Sequence, residues 1–275
     1  MPGRSMDLKI KMIGLLRFSV LSPTYYSERF DTLEETAAHL FSPERLELRF
    51  RIFETLCLPS LMRQSDMDFT LVVLTAKTMP APYLARLHDL LEPLPNVICR
   101  PVGTGIHFRL LKRAYASVPL DDASHQILFR LDDDDAVDID FVRRSKHLAQ
   151  GMIPLQGAET PFILANNRGF YVQKTDSGVE VYDACEKAPL STGTALVAPV
   201  GHGANPYRYN HRKFAQHFNT FSDISVPSFV RTIHGDNKSD PAQMGRTHKW
   251  RPEQIEAGLK QHFDLTMTGL QELLA

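Results

Sequence analysis

The chain is poor in cysteine, in net charge, in long apolar runs and in glycine-rich loops, and each shortage removes a class of protein. Cys57, Cys99 and Cys185 are the three cysteines, widely separated and matching no zinc spacing. Neither a disulfide-stapled scaffold nor a zinc module is indicated, and reduced thiols in a cytoplasmic protein are expected. The 31 Lys+Arg against 32 Asp+Glu leave a formal net charge of −1, which argues against a broad nucleic-acid-binding surface while leaving room for a local basic pocket. No apolar run reaches the roughly 20 residues of a membrane span, so at most a peripheral membrane association is in view. The apolar patch Met12 to Leu16 has Lys9 and Lys11 against it and no small-residue cleavage site behind it, unlike a signal peptide. A Gly-Lys-Ser/Thr phosphate loop is missing, and Gly103-Thr104-Gly105 lacks the third glycine of a dinucleotide fingerprint. What is left, 275 residues with 43% hydrophobic and 23% charged content, suits a globular chain with a substantial core.

Apolar runs and helix signals then alternate. Lys11 to Leu21 reads as a central strand, with Arg17 near its end, at the strand's mouth or paired, because it is costly to bury alone. Ser22 to Leu40 has no clean period and predicts a loop with a short helix. Ser42-Pro43-Glu44 is a helix start, followed by Leu46, Phe50, Phe53 and Cys57 at helical spacing, with Pro59 ending or kinking the helix. Phe69 to Leu74 and Asn96 to Cys99 read as strands, and Pro82 opens a helix with Leu84, Leu87 and Leu91 on one face. His107 to about Val118 predicts a helix with Arg109, Lys112 and Arg113 opposite its apolar stripe. Gln126 to Leu131 is a fourth buried strand, completing a β-α-β-α-β-α-β half-sheet of nucleotide-binding type. A helix from Phe141 to about Gln150, ended by Gly151, follows. Beyond it come short strands near 162–164, 169–173 and 179–182, the last two joined as a hairpin at Asp176-Ser177-Gly178, with a further strand over 194–197. Pro206 to Phe218 is dense in His, Arg and Tyr with a helix from Asn210, Val226 to Ile233 is a late strand, and helices near 252–262 and 268–274 close the chain.

The stretch that carries chemistry is Arg130-Leu131-Asp132-Asp133-Asp134-Asp135-Ala136, four adjacent carboxylates directly after a buried strand. Adjacent carboxylates repel, so neutral pH demands a compensating charge. A divalent cation, Mn²⁺ or Mg²⁺, is the expected one, because hard cations take oxygen ligands and can bridge to a diphosphate. The competing explanation is a solvated acidic loop leading into a helix at Asp138 and Asp140.

A parallel half-sheet, that aspartate cluster ending its fourth strand, a mixed second half and a late histidine resemble the GT-A glycosyltransferase fold. More narrowly, the acid stretch together with Arg49 through Glu54, Leu58-Pro59-Ser60-Leu61 with Gln64, Asp68-Phe69, Asp140-Phe141-Val142, His211 and His234-Gly235-Asp236-Asn237-Lys238-Ser239 is similar to the putative rhamnosyltransferase family of bacteria, from about Phe18 to about Ser239. The resemblance implies an α/β, GT-A-like domain: a Rossmann-type nucleotide-binding half over about 10–140, a mixed α/β acceptor-side half over about 141–240, and C-terminal helices over about 241–275. It implies an Asp-x-Asp pair, Asp132 facing the donor ribose and, with Asp134, the metal; Asp135 is the additional acid and His234 the late histidine of the metal or diphosphate site. Asp133 should point the other way if strand geometry persists.

The implied activity is metal-dependent transfer of a sugar, rhamnose being the family's, from a nucleotide-diphospho-sugar to a glycan or lipid-linked acceptor. Arg17, Arg109 and Lys112 are the expected basic partners of the diphosphate, each with an ordinary surface salt bridge as the competing explanation. A general base is sought among Asp183, Glu186, Asp223 and Asp236; no spacing selects one, and Asp236, the catalytic candidate for its closeness to His234, sits in a Gly-Asp-Asn stretch that is also an ordinary turn. Tyr207 and Tyr209 either stack on a sugar or pack in the core. A non-catalytic sugar-nucleotide or carbohydrate-binding protein on the same fold is the alternative. A sugar nucleotidyltransferase fits less well, since Arg17 to Pro23 holds no glycine.

Overall fold

The computed structural model describes residues 8–237, 245, 247 and 249–275. Lys238 and Ser239, quoted above for the resemblance, lie outside the described residues.

Two sheets carry the fold. Strand β1 (Ile10–Phe18) lies between β4 (His125–Asp132) and β2 (Thr70–Ala76), with β3 (Val97–Val102) outside β2, all four parallel. The other side of the sheet comes from later in the chain. Antiparallel β9 (Ala195–Pro199) pairs with β4, then β6 (Phe162–Asn166) and an edge strand β10 (Asn219–Asp223) follow. The second sheet has the order β5 (Asp135–Val137), β11 (Phe229–Ile233), β7 (Arg168–Thr175) and β8 (Gly178–Cys185). The result is a mixed α/β arrangement whose half-sheet matches the expected β-α-β order. Strands β5 and β10 were not legible in the sequence, being short and, in β10, mostly solvent-exposed.

The β1–β4 register decides where the site lies. Gly14 faces Phe129 across this pair, and a Cβ on Gly14 would fall 2.2 Å from the Phe129 ring. Only glycine leaves room for that ring, so the two strands lock in one register. Three residues further on, Arg17 is thereby brought opposite Asp132.

Helix α1 (Leu33–Leu40) opens with a capping box between Thr32 and Glu35. Helix α2 (Pro43–Ile52) starts at Ser42-Pro43 as expected, but Pro59 does not stop it. A π-turn over Phe53–Cys57 carries the chain into α3 (Leu58–Met62), because the wider turn absorbs the amide that proline cannot offer. The predicted helices follow as α4 (Ala81–Leu91) and α5 (His107–Ala116). Helix α6 runs from Phe141 to Gln156, past Gly151 and Pro154, and ends at Gly157 with φ +94°. Ile153 is buried and holds the extra turn down, so packing overrides the glycine signal. Helices α7 (Pro252–Phe263) and α8 (Met267–Leu274) cover the second sheet through Ile255, Leu259, Phe263 and Leu270, which pack with Phe170 and Val172.

Several motif residues turn out to be joints. Gln64 donates to the Asp138 carbonyl at 2.7 Å and accepts from Val142 N at 2.9 Å, while Ser65 Oγ donates to Asp140 at 2.6 Å. They fix α3 and its following turn to the start of α6, directly below β5. The three cysteines are free, and no helix among the described residues is long and apolar enough to cross a membrane.

Candidate functional site

At the carboxyl end of the parallel strands a pocket of about 160 Å³ is lined by Asp132, Asp133, Asp134, Asp135 and Asp236 and by Arg17, Arg45, Arg49, Arg130 and Arg231. Five acids meet five guanidinium groups there. Strand β4 supplies Arg130 and Asp132 on one face, two residues apart. A turn at Asp133-Asp134 follows, and β5 begins at Asp135. Strand geometry therefore does not persist through the acid run, and its side chains fan out to different partners.

Asp132 pairs with Arg17, its register partner. Arg17 is itself flanked by Tyr25 and Tyr207, with 4.6 and 5.1 Å from guanidinium carbon to ring centroid. Burial raises the Asp132 carboxyl, but Arg17 and then Arg130 outweigh it and hold the group at about 2. Asp133 is clasped by Arg49 through both carboxylate oxygens, and the same guanidinium donates to Asp134 at 2.7 Å. Burial pushes the Asp133 carboxyl up in spite of Arg49, whereas in Asp134 Arg49 and His234 overcome burial and hold it well below the carboxylate range. Asp135 accepts from Thr192 Oγ1 at 2.5 Å and faces Arg231 in the β5–β11 ladder. Burial, reinforced by Asp134, still drives its carboxyl well above the ordinary value.

Each of the four carboxylates thus has an arginine beside it. The compensation expected from a cation is supplied by guanidinium groups on α2 (Arg49), β1 (Arg17) and β11 (Arg231). The expected ligands do not form one donor set: among the described residues no three His, Cys, Asp or Glu are grouped to hold a metal ion. His234 does meet Asp134, at 3.3 Å. Its Nδ1 accepts from the Asp236 N–H at 3.3 Å, and its Nε2 lies between Asp134 and Arg49 Nη1, the latter at 3.5 Å, so both ring nitrogens already have protein partners. As arranged, Asp132, Asp134, Asp135 and His234 do not fit a bound Mn²⁺ or Mg²⁺.

The base candidates separate cleanly. Asp183 accepts from Thr247 Oγ1 and from the Lys249 and Trp250 amides at 3.1 and 3.2 Å, which ties down the chain before α7. Glu186 accepts from the Tyr171 hydroxyl at 2.6 Å, and Asp223 holds Ser225 and Arg144. These three are structural joints outside the pocket. Asp236 alone of the four lines it, held by Arg45 at 2.9 Å, with His39 at 3.2 Å and Arg49 at 3.8 Å.

Arg109 and Lys112 do not line the pocket; both side chains are exposed on the outer face of α5. The helix contributes His107 instead, at its first turn, stacked on Tyr25 with 4.4 Å between ring centroids and 3.5 Å from Arg17. Tyr209 stacks on His217 at 3.7 Å, away from the pocket, while Tyr207 braces Arg17 and Arg130. His211 lines the pocket, and burial together with Arg130 and Arg231 lowers it to about 3, so it is neutral at pH 7.

Reading the residues one by one missed Arg45, Arg231, Tyr25 and His107. Arg45 and Arg49 stand four apart on one helix, a spacing that puts both on one face and was available as a signal. Nothing local marks Arg231, which reaches the pocket through the β5–β11 pairing.

A family model described as "Putative rhamnosyl transferase" matches residues 11–246. No curated protein matches the sequence. Among solved structures, S. aureus TarS 1-349 is similar at 11% identity with TM-score 0.44, covering 81% of this chain and 60% of that one. The chain therefore spans 60% of the length of this relative. TarS 1-349 in complex with UDP gives 11% identity and TM-score 0.43 over 96% of this chain and 70% of that one. The WbbM bifunctional glycosyltransferase gives 13% and 0.27 over 60% and 24%.

Proposed function

The chain belongs to the putative rhamnosyl transferase family, and from that premise we propose that it moves a sugar from a nucleotide-diphospho-sugar to a hydroxyl acceptor, with rhamnose as the sugar. The observation that supports this reading is the pocket itself: five arginines interleaved with five aspartates at the carboxyl end of a parallel sheet, where α/β folds bind nucleotides. In the reaction, the acceptor oxygen forms a bond to the sugar C1 as the C1–O bond to the diphosphate breaks. The leaving nucleoside diphosphate gains negative charge, and preorganised guanidinium groups stabilise it by charge-assisted hydrogen bonds.

Asp236 is the proposed base for the acceptor proton, being the base candidate that faces the pocket. Asp132, held anionic by Arg17, is the proposed ribose ligand, an acceptor for two hydroxyl groups. Incubating the purified chain with a panel of nucleotide-diphospho-sugars, a nucleotide-diphospho-rhamnose included, and measuring release of nucleoside diphosphate tests the reading. Release from one donor, accelerated by an acceptor glycan, supports it. Binding without release from any donor across an acceptor panel would reduce the protein to a sugar-nucleotide binder.

A further inference from the structure

Among the pocket arginines, Arg130 stands apart. Arg17, Arg45 and Arg49 are in ion pairs with aspartates, and Arg231 is the ladder partner of Asp135. Arg130 is 9% exposed, yet no carboxylate among the described residues lies within ion-pairing distance of it. Its Nη1 has one long contact, 3.4 Å to the Pro206 carbonyl, and its Nε is buried with no hydrogen-bond partner. The guanidinium lies against the Tyr207 ring, 4.3 Å from the centroid, which holds it in place without using its N–H groups.

A buried guanidinium with an idle donor is expensive, and native structures keep such groups for a ligand or a function. The surroundings favour an anion. Arg231 and His211 line the same pocket, and His211, lowered to about 3, adds no negative charge to it.

Resting on the donor reading above, we propose that Arg130, with Arg231 beside it, is the direct ligand of a diphosphate oxygen of the donor. The planar fork of arginine suits two oxygens of one phosphate, and Tyr207 preorganises it.

The test is binding, not turnover. Isothermal titration of the full chain with UDP, dTDP and GDP, with the corresponding nucleosides, and with inorganic pyrophosphate would be compared in wild type, Arg130→Met and Arg130→Lys. Losing one charge-assisted contact should weaken the nucleoside diphosphate and pyrophosphate by about 10- to 100-fold in Arg130→Met, leave the nucleoside unchanged, and be partly restored in Arg130→Lys. Equal diphosphate affinity in folded Arg130→Met, or parallel loss of nucleoside and diphosphate, overturns the proposal. Should Arg130→Met fail to fold, Arg130→Lys decides: a point charge in place of the fork weakens pyrophosphate if the assignment holds and leaves it unchanged if not. If no nucleoside diphosphate binds wild type but pyrophosphate does through Arg130, the donor reading falls and the oxyanion site stands.

Discussion

Arg17 and Asp132 face each other on the last rung of the β1–β4 ladder, ion-paired at the lip of the pocket. Arg17 is held between two tyrosine rings, so the pair is fixed from both sides.

That arrangement makes a stability prediction. Replacing Asp132 by Asn leaves a largely buried guanidinium without its counter-charge, and should cost about 3 kcal/mol in urea unfolding at pH 7. The Arg17→Met/Asp132→Asn double variant should lose less than the sum of the singles. Additive losses would show that the two side chains do not depend on each other. The carboxyl sits at about 2 in the folded chain against an ordinary 3.8, so its contribution is present above pH 3.8 and disappears as pH falls through 2. Asp132→Asn should therefore flatten the acid limb of the wild-type stability curve.

Asp135 predicts the opposite trend. Its carboxyl is raised well above 3.8, so the favourable protonated form is complete at low pH and its contribution is lost as pH rises through the folded value. Asp135→Asn should gain in melting temperature over wild type by more at pH 8 than at pH 5. Equal gains at both pH values would mean that Asp135 carries no such burden.

Asp236→Asn should reduce sugar transfer by about 10²- to 10⁴-fold, the range of a general base, while nucleoside diphosphate affinity stays within about twofold. A variant that transfers at the wild-type rate would return the proton-accepting role to another group.

Because each carboxylate of the acid run already has a guanidinium beside it, millimolar Mn²⁺ without nucleotide should leave the melting temperature where it is. A preformed cation site filled at about 100 times its Kd would instead add about 2.7 kcal/mol. A clear upward shift abolished by Asp134→Ala would show that the arginines yield to the ion.

Arg109→Ala and Lys112→Ala should each change stability by less than about 0.5 kcal/mol and leave donor binding unaltered, since both side chains point to solvent away from the pocket. Weaker donor binding in either would place α5's outer face in the site after all.

The half-sheet was legible because its strands are continuous apolar runs punctuated by helix starts such as Ser42-Pro43-Glu44. The acid run announced a site for the same local reason, since such repulsion calls for a partner. The partner was not legible. Arg49 meets Asp133 across 84 residues and Arg231 meets Asp135 through a ladder between short strands, and no periodicity encodes either contact. Pattern also did not place Arg109 and Lys112: a basic face opposite an apolar stripe says which side of α5 is wet, and the part of the helix that lines the pocket is its first turn, at His107. Spacing did not separate Asp183, Glu186 and Asp223 from Asp236, because a carboxylate's use as a joint depends on what folds against it.

The aspartates do a second job besides holding charge. Asp132 is the last residue of β4 in one sheet, and Asp135 is the first of β5 in the other, with a two-residue turn between. A residue inserted into this run would slide every later rung of the short ladder by one or unzip the end of the long one. The spacing of these side chains is thus set by how two layers are stitched together, and a chain could change its ligand more easily than the length of this stitch.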